Sequence, residues 1–232
     1  FSKMPSFNTG CTGFLIAPDL VLTAGHCAVN TGEIRNESGG FCAAFSWVFD
    51  FQVAENGERD FSKVPDDLIY ECEKIIHAVH DSEFTAQNKL IFRDDYALVR
   101  LKRKVPRTPV KLSNQPVQVA EALSMIGHAL GGPQVLSSGR VLSLENQFFR
   151  SNLDFFDGNS GSPVFNSRDE VVGILVRGYP DGLVESKGPD SCRIVNRCDD
   201  GATRCNQDQM LTKPGAQVHS ILNIPGVKEF LN

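Results

Sequence analysis

Gly158-Asn159-Ser160-Gly161-Ser162-Pro163 is the stretch on which the reading of this chain turns. Two glycines bracket a serine, which permits a tight turn whose successive backbone N–H groups point the same way, an arrangement suited to an anion. Outward from it, segments rich in β-branched and aromatic residues recur between turn signals at 12–16, 20–23, 41–51, 74–79, 96–101, 124–127, 140–144, 162–165 and 171–176. No long helical pattern alternates with them, so an all-β fold of antiparallel barrels or a sandwich is expected, not a parallel sheet. Helical periodicity is confined to 220–232, where Ile221, Leu222, Val227 and Phe230 fit a short terminal helix interrupted by Pro225 and Gly226. A mixed Lys/Arg/Pro stretch at 102–116 is the best seam and splits the chain into near-equal halves, 1–107 and 108–232; its charges read as a solvated connector.

Two further segments carry chemistry. Thr23-Ala24-Gly25-His26-Cys27 delivers a histidine at the end of an apolar strand, and Asp95-Tyr96-Ala97-Leu98 places a carboxylate at the head of a buried one, where its charge needs a partner. Taken singly, His26 reads as a satisfied histidine beside a disulfide, Asp95 as a strand-end cap and Ser160 as part of a Gly-Ser turn. Together they supply the nucleophile, base and orienting acid that acyl transfer requires. Asp94 competes with Asp95 for the last role. His77 and His80 lie on an expected strand and read as structural; His128 and His219 are unassigned.

Composition narrows the setting. With 232 residues, 41% apolar and 22% charged, the chain has the makeup of a folded globular protein. Its 23 basic and 28 acidic residues give a net charge of −5 without a basic stripe, so nucleic acid is not an expected partner. No apolar run approaches the ~18 residues of a membrane span, and no membrane partner is expected. Seven cysteines point to an oxidising, extracytoplasmic compartment, secreted or periplasmic, and the odd number leaves one without a partner in the chain. Cys192, Cys198 and Cys205 sit among Asp199, Asp200 and Asp208, but with neither CxxC spacing nor an EF-hand pattern; no metal or cofactor is expected.

In the order His, Asp, Ser, the three segments resemble the trypsin-like, chymotrypsin-fold serine peptidases. The family's TA-[AG]-HC signature matches residues 23–27, its D-[IYF]-A-L strand 95–98 and its GxSGxP turn 158–163. Cys11 stands fifteen residues before His26, as in the family, where that cysteine bridges the one after the histidine. The GNSGSPVF run is most similar to the bacterial branch that includes the glutamyl endopeptidases. The resemblance implies two six-stranded antiparallel β-barrels, one per half, with the active site in the cleft between them. It implies a Cys11–Cys27 disulfide and a catalytic set of His26 as base, Asp95 as orienting acid and Ser160 as nucleophile. It also implies an oxyanion hole from the Gly158 and Ser160 N–H groups, and protein or peptide substrates. The remaining five cysteines allow fifteen arrangements of two bridges, of which Cys42 with Cys72 and two of the last three with each other is the favoured expectation.

Specificity is half legible. In trypsin itself the acid at the base of the primary pocket lies six residues before the nucleophile, which falls here on Asp154, so cleavage after Arg or Lys is expected. Arg177 and Gly178 fall on the strand that binds substrate backbone; an Arg177 paired with Asp154 or Asp157 would close the pocket. Leu175 replaces the histidine that glutamyl endopeptidases use against a substrate carboxylate. Val176 replaces a serine whose hydroxyl supports the catalytic aspartate, so that bond must come from elsewhere. A glutamate or apolar preference, and a catalytically silent binding module on the same fold, are the competing expectations. Asn159 cannot make the ion pair by which a freshly released amino terminus activates the animal enzymes, and the ten residues 1–10 before Cys11 are a shorter lead than the family carries, so an upstream segment, cleaved as a propeptide or truncated, is expected.

Overall fold

Apolar residues on both faces mark a strand that will be covered on both, and Leu20-Val21-Leu22-Thr23 is buried throughout. In the computed structural model, which describes residues 10–29, 34–35, 41–53, 64–84, 90–178, 183–185, 193–195 and 215–230, that stretch is central in a sheet of six strands. The strands are β1 (Gly13–Ala17), β2 (Leu20–Thr23), β3 (Ile34–Arg35), β4 (Ser46–Val48), β5 (Ile69–Phe84) and β6 (Leu90–Leu101). Their order is β1-β2-β6-β5-β3, with β4 also on β5; among the described residues this sheet is a half-barrel that does not close. The long β5–β6 pairing sets His80 opposite Asp95 and Asp81 opposite Asp94.

The second sheet holds β7 (Lys111–Leu112), β8 (Ala122–Gly127), β9 (Val135–Leu144), β10 (Phe148–Ser151), β11 (Pro163–Phe165) and β12 (Glu170–Arg177). A separate two-stranded pair, β13 (Leu183–Glu185) and β14 (Arg193–Val195), precedes its last strand, β15 (Ala216–Ser220). The run β11-β8-β9-β10-β15-β12 closes through a β11–β12 pairing into a six-stranded antiparallel barrel, and β7 joins β12 in parallel. The all-β expectation with two barrel-like sheets is met.

The hydrophobic core lies where the sheets meet. Leu22, Tyr96 and Leu98 of the first pack with Leu112, Phe148, Ile174 and Val176 of the second. β12 belongs to two cores at once: Ile174 and Val176 face this seam, while Val172 and Leu175 face the barrel interior with Met125, Phe149 and Val218. Alternation holds from Ile174 to Val176, and a register shift in the pairing with β11, where Val164 faces Gly173 but Phe165 faces Val171, reverses it at Val171 and Val172. His219 of β15 is fully buried, donates from Nε2 to Asp94 Oδ1 of β6 at 3.1 Å, and meets Tyr96 and Phe148 edge-on.

Two local expectations change. The stretch read as one strand at 41–51 begins with a helical turn, α1 (Phe41–Ala44), held beside β5 by a Cys42–Cys72 disulfide. The expected terminal helix is two 3₁₀ turns, Ile221–Asn223 and Lys228–Phe230, because Pro225 and Gly226 interrupt the run. Ile221, Ile224 and Val227 nonetheless bury their side chains in the seam. Cys11–Cys27 is formed; Cys192, Cys198 and Cys205 lie outside the described residues. Among the described residues no helix is long and apolar enough to cross a membrane.

Ile174 is fully buried between the sheets. Ile174→Ala should cost roughly 2–5 kcal/mol of stability, through lost transfer energy and the cavity left behind. Urea denaturation measures this as a lower midpoint with the slope unchanged.

Candidate active site

His26 sits in a single 3₁₀ turn, Gly25–Cys27, directly after β2. The turn presses against the β5–β6 pair at Gly25, where any side chain would collide with the Val79 carbonyl. That close approach brings His26 beside Asp95 on β6. The His26 backbone N–H donates to Asp95 Oδ1 at 3.0 Å, and Nδ1 lies 3.1 and 3.0 Å from Oδ1 and Oδ2. A carboxylate can only accept, so Nδ1 carries the hydrogen and Nε2 is left as the basic nitrogen. Asp94, next in the chain, points to the opposite face and takes His219, so Asp95 is the partner of His26.

Asp95 is 0% exposed. Burial pushes its carboxyl up, but the His26 hydrogen bonds and the charges of His26 and Arg177 outweigh burial and hold it down at about 2. Arg177 is the unexpected member of this group. It pairs with neither Asp154 nor Asp157: its Nη2 donates to Asp95 Oδ2 at 2.5 Å and its Nη1 to Gln217 Oε1 at 2.9 Å. A register shift between Leu175 and Arg177 in the pairing with β15 is the reason. A bulge breaks the alternation and re-aims the residue after it, so Arg177 turns to the seam side together with Val176. Its guanidinium lies 3.5 Å above the Phe92 ring centroid. Burial lowers its pKa while Asp95 raises it.

Ser160 is buried at 7% exposure in a turn with positive φ at Gly158 (+94°) and Gly161 (+85°). Gly161 admits no side chain, since Thr12 and Thr23 occupy the space. Two hydrogen bonds from Thr12, just ahead of β1, fasten the turn across the sheets, and a third ties it to β12 of its own barrel. Thr12 N–H donates to the Ser160 carbonyl at 2.7 Å, Thr12 Oγ1 to the Gly158 carbonyl at 2.7 Å, and Gly161 N–H to the Leu175 carbonyl at 2.6 Å. The Cys27 sulfur is 3.9 Å from the Ser160 carbonyl, so the serine turn lies against the histidine turn. Among the described residues, the backbone–backbone bonds here take the N–H groups of Asn159, Gly161 and Ser162 and leave those of Gly158 and Ser160 unengaged.

The other named residues fall around this group. Asp154 is exposed; its backbone N–H donates to Ser137 Oγ at 3.1 Å, and that hydroxyl reaches its carboxylate at 3.4 Å. The Phe155 ring fills the space beneath Gly178, where a Cβ would strike it. His80 is 5.6 Å from His26 between ring centroids and stacks on Phe92; burial pushes its pKa down. His77 packs on Tyr96, and His128 bonds the Gly132 carbonyl at 2.9 Å. Cys11, His26 and Cys27 place their donor atoms within 4.8 Å of one another, but the two sulfurs are bonded to each other and offer no thiolate pair to a metal. Sequence reasoning missed Gln217, Phe92 and Thr12, which hold the site in place. No motif marks them, because each acts only through tertiary contact.

Two barrel-like β-sheets thus gather the His26 turn, Asp95 of β6 and the Ser160 turn at their seam. Residues 11–174 match the trypsin-like peptidase domain, and the chain belongs to that family. A stretch of 77 residues is 34% identical to a glutamyl endopeptidase of Staphylococcus aureus strain MW2, covering 32% of this chain and 24% of the relative. The match thus spans about a quarter of the length of that curated relative. Kallikrein-related peptidase 10 is 18% identical with a TM-score of 0.48, covering 92% of this chain and 84% of that one. A serine endoprotease from Yersinia pestis is 14% identical with a TM-score of 0.46, covering 76% and 52%.

The depressed Asp95 carboxyl links stability to pH. Its contribution is full above the ordinary carboxylate value of 3.8 and is lost as pH falls through about 2. At 1.36 kcal/mol per pH unit it amounts to about 2 kcal/mol. Unfolding free energies followed from about pH 5 downward should fall accordingly, and an Asp95→Asn variant should show a flatter dependence over the same range.

Proposed function

We propose that the chain is a serine endopeptidase of an extracytoplasmic compartment that hydrolyses peptide bonds through an acyl-enzyme. The observation that carries this reading is the hold of buried Asp95 on His26 Nδ1, with the Ser160 turn fastened beside it. A serine hydroxyl is a poor nucleophile at neutral pH. His26 Nε2 takes its proton as Ser160 Oγ attacks the scissile carbonyl carbon, then returns it to the leaving amine as the carbon–nitrogen bond breaks. Water repeats the sequence on the acyl-enzyme, with His26 again as base, and releases the new carboxylate. Asp95 fixes the tautomer and stabilises the imidazolium without taking the proton. The Gly158 and Ser160 N–H groups meet the tetrahedral oxyanion, each donor worth roughly 3–4 kcal/mol of barrier. The two disulfides support the extracytoplasmic setting.

For substrate choice, Asp154 is the residue on which cleavage after Arg or Lys rests; exposed Asp157 adds to the anionic character of the same segment. Leu175, buried and apolar, offers nothing to a glutamate side chain. A second reading, preference for small side chains, is favoured by Phe155 against Gly178.

A peptide library varying the residue before the scissile bond, run on wild type, Ser160→Ala and Asp154→Asn, tests both parts. Wild type is expected to cleave and to be labelled by a fluorophosphonate, and Ser160→Ala to do neither. Asp154→Asn should lose the preference for Arg and Lys while retaining label. A wild-type chain that neither cleaves nor labels overturns the peptidase reading. Asp95→Asn should lower kcat by about 10⁴-fold by favouring the wrong tautomer.

A further inference from the structure

We propose that Arg177 is the positioning residue of the His26–Asp95 pair, clamping the Asp95 carboxylate from the opposite sheet in the orientation the histidine needs. This rests on the peptidase reading above. Asp95 Oδ1 takes the His26 backbone N–H, the ring Nδ1 lies against both oxygens, and from the second barrel Arg177 alone reaches the carboxylate, at Oδ2. Val176, the preceding residue, is buried and apolar and has no hydrogen to give. A buried carboxylate short of donors costs free energy and is free to rotate away from its histidine. Arg177 supplies the missing donor.

The clamp is itself rigid. Its second nitrogen is tied to Gln217 on β15, whose amide donates at 2.6 Å to Glu145; Glu145 pairs with Arg150 at 3.2 Å, and Arg150 donates to the Gly215 carbonyl at 3.3 Å. Phe92 covers one face of the guanidinium and Phe148 lies 5.4 Å from it. A planar cation gripped by an amide and two rings has few other places to go. Charge alternates along the chain of contacts, Asp95, Arg177, Glu145, Arg150, so no buried charge is left uncompensated.

Arg177 also places a cation next to the base. The ionisable groups facing His26 are Asp95 on β6, His80 on β5 with Asp81 behind it, and Arg177 on β12. Removing Arg177 leaves the Asp95 charge undiluted, so the acid limb of kcat/KM moves to higher pH. A residue that merely packs would leave that limb where it is.

The test compares wild type with Arg177→Met, Arg177→Gln and Arg177→Lys in two measurements. One is the pH profile of peptide hydrolysis. The other is the downfield NMR resonance of the His26 Nδ1 proton, which requires no turnover. Met and Gln are expected to lose roughly 10- to 100-fold in kcat/KM, mostly in kcat, as such supporting partners do. Both should raise the acid limb and broaden or abolish the resonance. Lys, which keeps the charge, should restore the limb and part of the rate. Should Met fail to fold, Gln carries the comparison. An unchanged resonance and acid limb in the neutral variants overturn the proposal. If wild type proves unable to cleave or to take a fluorophosphonate, the peptidase reading falls, and the resonance still decides whether Arg177 holds the pair.

Discussion

A carboxylate with no access to water sits at the join of the two sheets, and the arrangement of the site follows from the need to satisfy it. An ion of this kind is tolerated only when hydrogen bonds and opposite charge replace its hydration. Asp95 obtains these from three directions: the turn after β2 gives a backbone N–H and a ring nitrogen, and β12 gives a guanidinium. Each donor is fixed by a local feature of its own. Gly25 lets its turn lie flat on β5 and β6, and a bulge in β12 turns Arg177 inward.

Much of this was legible beforehand because it depends on short-range pattern. The serine turn needs glycines, the histidine follows an apolar strand, and the resemblance of residues 95–98 to the family's D-[IYF]-A-L strand favours Asp95 over Asp94. Period-2 alternation makes the same choice physically, since neighbours on a strand face opposite sides. What eluded the sequence depends on register. The direction of Arg177 is set by one extra residue in a pairing between β12 and β15, whose register partner Gln217 lies forty positions further on. Local propensity carries no trace of that. The failure at 41–51 and at the C-terminus has a different origin: short apolar runs serve strand or helix equally well, and tertiary packing arbitrates. At the C-terminus the same side chains are buried as a helix would bury, although the backbone makes only separate single turns.

β12 concentrates these demands. Its residues line two different cores, its backbone receives the Gly161 N–H, and its last residue reaches across to Asp95. Such a strand tolerates little substitution, because no face of it is idle. The neighbouring Asp94–His219 contact makes a second, parallel tie between β6 and β15, so the sheets are joined by polar contacts on both sides of the same strand.

Thr12 gives this join a consequence for the protein's survival. One residue of the first sheet bonds both the Gly158 and Ser160 carbonyls of the second. The sheets therefore cannot part without breaking both of these bonds to the serine turn. On the peptidase reading, a molecule that opens far enough to offer its own chain for digestion has loosened its own nucleophile turn by the same movement, so self-digestion in a population would require an intact copy to meet an opened one and would grow with the square of concentration.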